Sequence, residues 1–314
     1  MTIAAPDLLA RARDGDKRAT ARLLTVVEND EPGAAEIMRA LYPATGRAQV
    51  IGVTGPPGGG KSTLVSRLAG AYRETVARVA VVAVDPSSPF SGGAILGDRI
   101  RMRDRFLDQG LFIRSMASRG SQGGLSRATR RVVNVLDGLG TEVILVETVG
   151  VGQEEVDVVR VADTVCLVTV PGLGDDIQAI KAGVLEIADV LVVNKADRPG
   201  ADETARDLAQ MLTLGAPRTD WKPPIVRTSA STGEGVPELV RAIARHREWA
   251  TASGELEVRR RDAARAEVAT LLRETLLREL EDRAGQAAVE EAVARVAARE
   301  LDPYAAVEAL LRGR

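Results

Sequence analysis

A run of nine residues, Gly55, Pro56, Pro57, Gly58, Gly59, Gly60, Lys61, Ser62 and Thr63, follows directly on the apolar stretch Gln49 to Thr54. Glycine, four residues, then Gly-Lys-Ser is the pattern of a loop that wraps phosphate. Such a loop needs a strand before it and a helix after it, and Lys61 to about Tyr72 reads as that helix. The chain is therefore committed to a βα unit at this point. Glycines let backbone N–H groups curl inward around phosphate oxygens, and the helix N-terminus adds its partial positive charge. On this reading Lys61 reaches the β- and γ-phosphates and the Ser62 hydroxyl ligates Mg²⁺. The alternative is a glycine-rich turn that binds nothing, and the Lys-Ser pair argues against it. The expected ligand is a nucleotide.

The remaining pattern extends that unit into a domain. Short apolar runs without alternation, at Val79 to Val84, Leu111 to Arg114, Val143 to Val146, Val165 to Val170, Val190 to Val193 and Ile225 to Arg227, predict strands buried on both faces. Helical stretches alternate with them, for example Ile177 to Ala188 and Ala201 to Leu214. The expectation is an α/β fold, a doubly wound, mostly parallel P-loop sheet, over residues 48–253. Residues 1–47 read as a helical segment, with apolar positions from Leu8 to Val27 at helical spacing and a break at Glu31-Pro32-Gly33. Residues 254–314 read as a charged helical arm, with one stripe from Val268 to Leu280 and another from Val289 to Val296. Arg259, Arg260 and Arg261 are read as a solvated helix face.

Composition narrows the chemistry. The chain has 314 residues, 45% hydrophobic, and a formal charge of −2, so no general electrostatic pull towards nucleic acid is expected. One histidine, His246, and one cysteine, Cys166, cannot build a transition-metal site of the usual kind. Cys166 lies within an apolar run and reads as a small core residue. No apolar run approaches membrane length and the N-terminus has no signal-peptide core, which predicts a soluble cytoplasmic protein without membrane contact.

Two further stretches specify the nucleotide. Asn194-Lys195-Ala196-Asp197 follows a predicted strand about 130 residues after the phosphate loop. There Asp197 can accept from guanine N1–H and the 2-amino group, Asn194 can face O6/N7, and Lys195 can pack over the ring. The backbone of Ser229 and Ala230 lies where guanine O6 would be contacted. Adenine lacks the 2-amino group, so the combination favours GTP over ATP. Separately, the strand ending at Glu147 is followed by Gly150, a pattern in which the carboxylate holds Mg²⁺ and the Gly150 N–H contacts the γ-phosphate. Ras-like GTPases carry Asp at the equivalent of Glu147, and Glu there points to the GTPase class that includes metallochaperones. Asp85, closing the second strand, and Asp98, opening a later helix, read as switch carboxylates, although a solvated turn residue or a helix cap would have the same composition. Gln153 is either a water-positioning side chain or a polar loop residue.

Four segments together carry a family resemblance: Asp85 through Gly97-Asp98-Arg99, Arg114-Ser-Met-Ala-Ser-Arg-Gly120, Glu147 through Gly152-Gln153, and Pro171 through Gln178. They resemble the methylmalonyl-CoA mutase-associated GTPases of MeaB type, once labelled lysine/arginine/ornithine transport ATPases. The resemblance extends over nearly the whole chain. It implies a homodimer joined through the C-terminal arm. It also implies a G-protein chaperone that gates cofactor loading into an adenosylcobalamin-dependent acyl-CoA mutase and assists release of inactive cofactor. By motif match it assigns Lys61, Ser62, Asp85, Asp98 and Glu147 to the Mg²⁺–phosphate site and Asn194 and Asp197 to the base. Pro171 to Lys181 matches the loop that relays nucleotide state. Gly59, commonly Ala in the family, and Ser121-Gln122 depart from the pattern.

The resulting expectation is a GTPase, cleaving GTP with water to GDP and phosphate. A nickel metallochaperone would need Cys and His ligands. A P-loop kinase of amino-acid transport would need an acceptor site, and a non-catalytic scaffold would bind GTP without turnover.

Overall fold

The computed structural model describes residues 5–85, 107–117, 124–148, 161–172, 185–214 and 219–312. Among the described residues, seven strands form one sheet: β1 (Gln49–Thr54), β2 (Val79–Asp85), β3 (Leu111–Ala117), β4 (Val143–Glu147), β5 (Thr164–Thr169), β6 (Val190–Asn194) and β7 (Ile225–Thr228). Their order is β3-β2-β4-β1-β5-β6-β7, and every pairing is parallel. All strand C-termini therefore lie along one edge, where ligands bind in such sheets. Every residue of β1, β4, β5 and β6 is buried, which explains the unbroken apolar runs in the sequence.

Successive strand residues divide between the faces. Val50, Ala80, Val82, Ile144 and Val146 pack with α1 (Ala5–Arg13), α2 (Lys17–Glu28), α3 (Ala34–Leu41) and α5 (Gly124–Gly138) in one core. Ile51, Val53, Val81, Leu145, Cys166, Val168 and Val192 pack against α4 (Lys61–Arg73) and α7 (Val236–Ala252) in the other. A smaller cluster sets Leu167, Leu191 and Val193 against α6 (Ala201–Leu214). This is the doubly wound parallel architecture predicted from the sequence.

The N-terminal helices are part of the first core. Asp16 caps α2 by accepting the N–H groups of Arg18 and Ala19 at 2.8 and 3.1 Å. Gly33, at φ 95°, turns the chain into α3 at the predicted break. Leu23, Leu24, Ile37 and Leu41 are all fully buried, each contributing about 1.5–3 kcal/mol of apolar burial as an upper bound. The buried Asp137 of α5 accepts the N–H groups of Arg47 and Ala48 at 3.3 and 2.9 Å, fixing the chain as it enters β1.

The chain divides into two compact units, Met1–Arg259 and Arg260–Arg314. The arm contains α8 (Glu255–Ala284), α9 (Gln286–Ala297) and α10 (Pro303–Arg312). The predicted stripes fall on α8 and α9, and Val268, Leu272, Leu276 and Val293 are exposed. The last helix falls within the expected helical arm, beyond its two predicted stripes. Its signals are local: Asp302 accepts the N–H groups of Tyr304 and Ala305 at 2.9 and 3.0 Å, ahead of Pro303 in the first turn.

Two expectations change. Within the predicted helix Ile177 to Ala188, Leu185–Ile187 is a 3₁₀ turn, and 177–184 lie outside the described residues. Arg259 is not a solvated side chain: it is half-buried and forms an ion pair with Asp189 at 2.8 Å, because a buried carboxylate at the strand edge needs a cation. Among the described residues no helix is long and apolar enough to cross a membrane.

Candidate functional site

The glycine loop leaves β1 at the C-terminal edge of the sheet. Gly55, Gly58 and Gly60 have φ values of 137°, 75° and 83°, which L side chains rarely adopt. Packing restricts two of them as well. A Cβ on Gly55 would lie 2.0 Å from the Val168 carbonyl oxygen, and one on Gly60 would lie 2.5 Å from Asn194 Nδ2. Gly59 has ordinary φ, and its nearest obstacle is the Pro56 carbonyl at 3.0 Å, so alanine there demands only a small adjustment.

Lys61 and Ser62 open α4 and are both buried. Lys61 Nζ donates to the carbonyls of Gly55 at 2.8 Å and Pro56 at 3.0 Å, so its charge lies inside the loop. The Ser62 hydroxyl donates to Glu147 Oε1 at 2.6 Å. Glu147 arrives there because it closes β4, in register with Val53 of β1 and Ala83 of β2. Thr148, next in the chain, donates its N–H to the Val53 carbonyl at 3.1 Å and its hydroxyl to Thr54 at 2.9 Å. These two bonds tie the ends of β1 and β4 together beneath the loop.

Asn194 ends β6 beside Thr228 of β7. Its amide is buried and used within the protein: Nδ2 donates to the Gly59 carbonyl at 2.8 Å, and Oδ1 accepts from Thr228 Oγ1 and the Ala230 N–H, each at 3.1 Å. Instead of lining open space, Asn194 joins the phosphate loop to the Ser229-Ala230 turn. Lys195, at φ 58°, donates from Nζ to the Gly58 carbonyl at 2.7 Å, a second tie between the two loops. Asp197 is exposed, and the Ser229 hydroxyl bonded to its carboxyl holds it below the usual carboxylate range. Arg67 of α4 supports the same turn through the carbonyls of Ala230 at 2.9 Å and Ser231 at 2.6 Å.

The structure thus brings together Gly55 through Thr63, Glu147, Asn194, Lys195, Ser229 and Ala230. For Asp85 it describes the backbone only, at the end of β2 in register with Ala117. The Asp85 side chain, Asp98, Gly150, Gln153, Ser121-Gln122 and residues 173–181 of the expected relay loop lie outside the described residues. Sequence reading missed Thr54, Thr148 and Arg67. Thr228 belongs to the Thr228-Ser229-Ala230 turn expected from the sequence, where its hydroxyl bonds Asn194.

A parallel seven-stranded sheet with a phosphate loop after its central strand, bonded to an Asn-Lys-Ala-Asp loop two strands away, defines a P-loop GTPase of the α/β class. The model of the methylmalonyl Co-A mutase-associated GTPase MeaB family matches residues 20–285. The chain belongs to that family and is a GTPase. It is 50% identical to a candidate GTPase of Pyrococcus abyssi over 309 residues, 98% of this chain and 95% of that one. It is 37% identical to the GTPase ArgK of Escherichia coli over 259 residues, 79% and 78% of the two chains. A mouse protein named methylmalonic aciduria type A homolog, mitochondrial, is 36% identical over 231 residues, 72% of this chain and 56% of that protein. Among solved structures, a LAO/AO transport system kinase superposes with a TM-score of 0.73 at 27% identity, over 99% of both chains.

Proposed function

We propose that this GTPase acts as a chaperone of an adenosylcobalamin-dependent acyl-CoA mutase, coupling GTP hydrolysis to cofactor loading and to release of inactive cofactor. The supporting observation is family membership over most of the chain, since the family description names a methylmalonyl Co-A mutase association. The arm's exposed Val268, Leu272 and Leu276 support a homodimer joined there, because apolar side chains at helical spacing gain by being covered.

At the site, Lys61 neutralises charge on the β- and γ-phosphates, and the loop N–H groups orient them for attack by water. Asp197 reads guanine, while Asn194 and Lys195 hold the base-reading turn against the phosphate loop. Ser62 and Glu147 present a hydroxyl and a carboxylate oxygen 2.6 Å apart at the start of the helix that follows the glycine loop. This hard-oxygen set fits Mg²⁺, with Asp85 and Asp98 as the further carboxylates. Held there, Mg²⁺ would supply positive charge that offsets charge on the phosphates.

The test is GTP turnover by the full-length protein, alone and with a cobalamin-dependent acyl-CoA mutase. Stimulation on the order of tenfold or more is expected. No stimulation by any such mutase would remove the chaperone role and leave a GTPase with another client. Phosphate appearing on an amino acid or protein in place of water would favour the kinase description of the structural neighbour.

A further inference from the structure

The opposite end of β6 holds a second polar cluster. Asp189, buried immediately before the strand, uses all its acceptors. Its Oδ2 accepts the Val165 N–H and Arg259 Nη1, both at 2.8 Å. Its Oδ1 accepts Arg259 Nη2 at 2.8 Å and lies 3.1 Å from His246 Nε2. Its backbone carbonyl accepts the Trp221 indole N–H at 2.8 Å. His246 Nδ1 in turn lies 2.9 Å from the Thr164 hydroxyl. The rings of Trp221 and Trp249, the chain's two tryptophans, are centred 5.1 and 5.7 Å from His246.

Carboxylate, imidazole and hydroxyl in a row suggest nucleophilic catalysis, but Thr164 and His246 are each 0% exposed. No substrate reaches them. The cluster's distinguishing member is Arg259, which enters from the first turn of α8 and is steadied by Glu255 Oε1 at 2.9 Å. The first turn of α8 is thereby fastened to the start of β6. Four buried residues later, the same strand ends at Asn194, which holds the base-reading turn to the phosphate loop. Between these ends β6 is hydrogen-bonded to β5 on one side and β7 on the other, so it shifts only as a unit.

We propose that Asp189 and Arg259 form a latch that links the seating of the first turn of α8, through β6, to guanine-nucleotide affinity. Asp189 acts here as a positioning residue, and the linkage is reciprocal: nucleotide at one end of β6 tightens the latch at the other. The inference rests on Asn194 to Asp197 being the guanine-reading loop. Trp221, bonded to Asp189, supplies a built-in reporter.

The experiment titrates GDP with Mg²⁺ into the full-length protein, following heat and tryptophan emission together. In the unaltered protein, GDP changes the emission. Arg259→Ala binds GDP roughly 5- to 10-fold more weakly and loses the emission response. Arg259→Lys restores part of both. Glu255→Gln leaves Asp189 and Arg259 in place and gives a smaller loss in the same direction, which serves if Arg259→Ala fails to fold. Unaltered GDP affinity in Arg259→Ala and Glu255→Gln, or an emission that ignores GDP in the unaltered protein, overturns the latch alone. Absence of GDP binding in the unaltered protein overturns the guanine reading and the latch with it.

Discussion

The two ends of β6 solve opposite problems with similar groups. At its C-terminal end, Asn194 and Lys195 bond to backbone carbonyls of a glycine loop, and Asp197 keeps an exposed carboxylate. At its N-terminal end, the Asp189 carboxylate is saturated by Arg259, His246 and the Val165 N–H, behind two tryptophans. One end leaves a carboxylate exposed beside the glycine loop, and the other consumes its carboxylate internally. The difference teaches that charge near a strand end indicates a site only when the protein has not already satisfied it.

Substitutions at the two ends should therefore fail differently. The largest effect belongs to the phosphate loop that the C-terminal end of β6 holds: Lys61→Ala should cut GTP turnover by about 10³-fold, with little change in melting temperature. Phosphate release and thermal melting of the same preparation check it, and a variant that unfolds instead would erase the distinction. Next comes the closed end. Asp189→Ala leaves the Val165 N–H without its acceptor and the Arg259 cation with Glu255 as its remaining carboxylate, and should cost about 3 kcal/mol of stability, read from urea midpoints. An unchanged midpoint would mean that the cluster is not saturated as described.

The smallest effect sharpens the same contrast by pH. Burial pushes the Asp189 carboxyl up, but the hydrogen bonds from His246 and Arg259 outweigh it and hold the group below its ordinary 3.8. A depressed carboxylate contributes stability above its unfolded pKa and loses it as pH falls through the folded value. The stability gap between the unaltered protein and Asp189→Asn should therefore be full at pH 7 and shrink below about pH 4. A gap independent of pH would show that the charge of Asp189 is not what its partners hold.

The fold was legible because its signals are local. Apolar runs of strand length marked β1, β4, β5 and β6, and the glycine pattern fixed where β1 hands over to α4. The positions of the glycine loop and the Asn194 to Asp197 loop at strand ends followed from the same order. What joins them did not. Ser62 and Glu147 are 85 residues apart in sequence, and Asn194 meets the Gly59 carbonyl across 135. No spacing rule reports such contacts. Arg259 was misread for a related reason. Three consecutive arginines look like a solvated face when the helix is considered alone, and the carboxylate that claims one of them lies 70 residues earlier.

Cys166 gives the molecule a practical property. It is the chain's single cysteine, it sits in the middle of β5 at 0% exposure, and burial pushes its thiol well above the usual range. The folded protein consequently offers maleimides and similar reagents no thiolate to attack. A cysteine introduced at an exposed arm position such as Val268 would be the sole reactive thiol in the native state. Single-site spectroscopic labels can then be placed on this protein without first removing a native residue from its core.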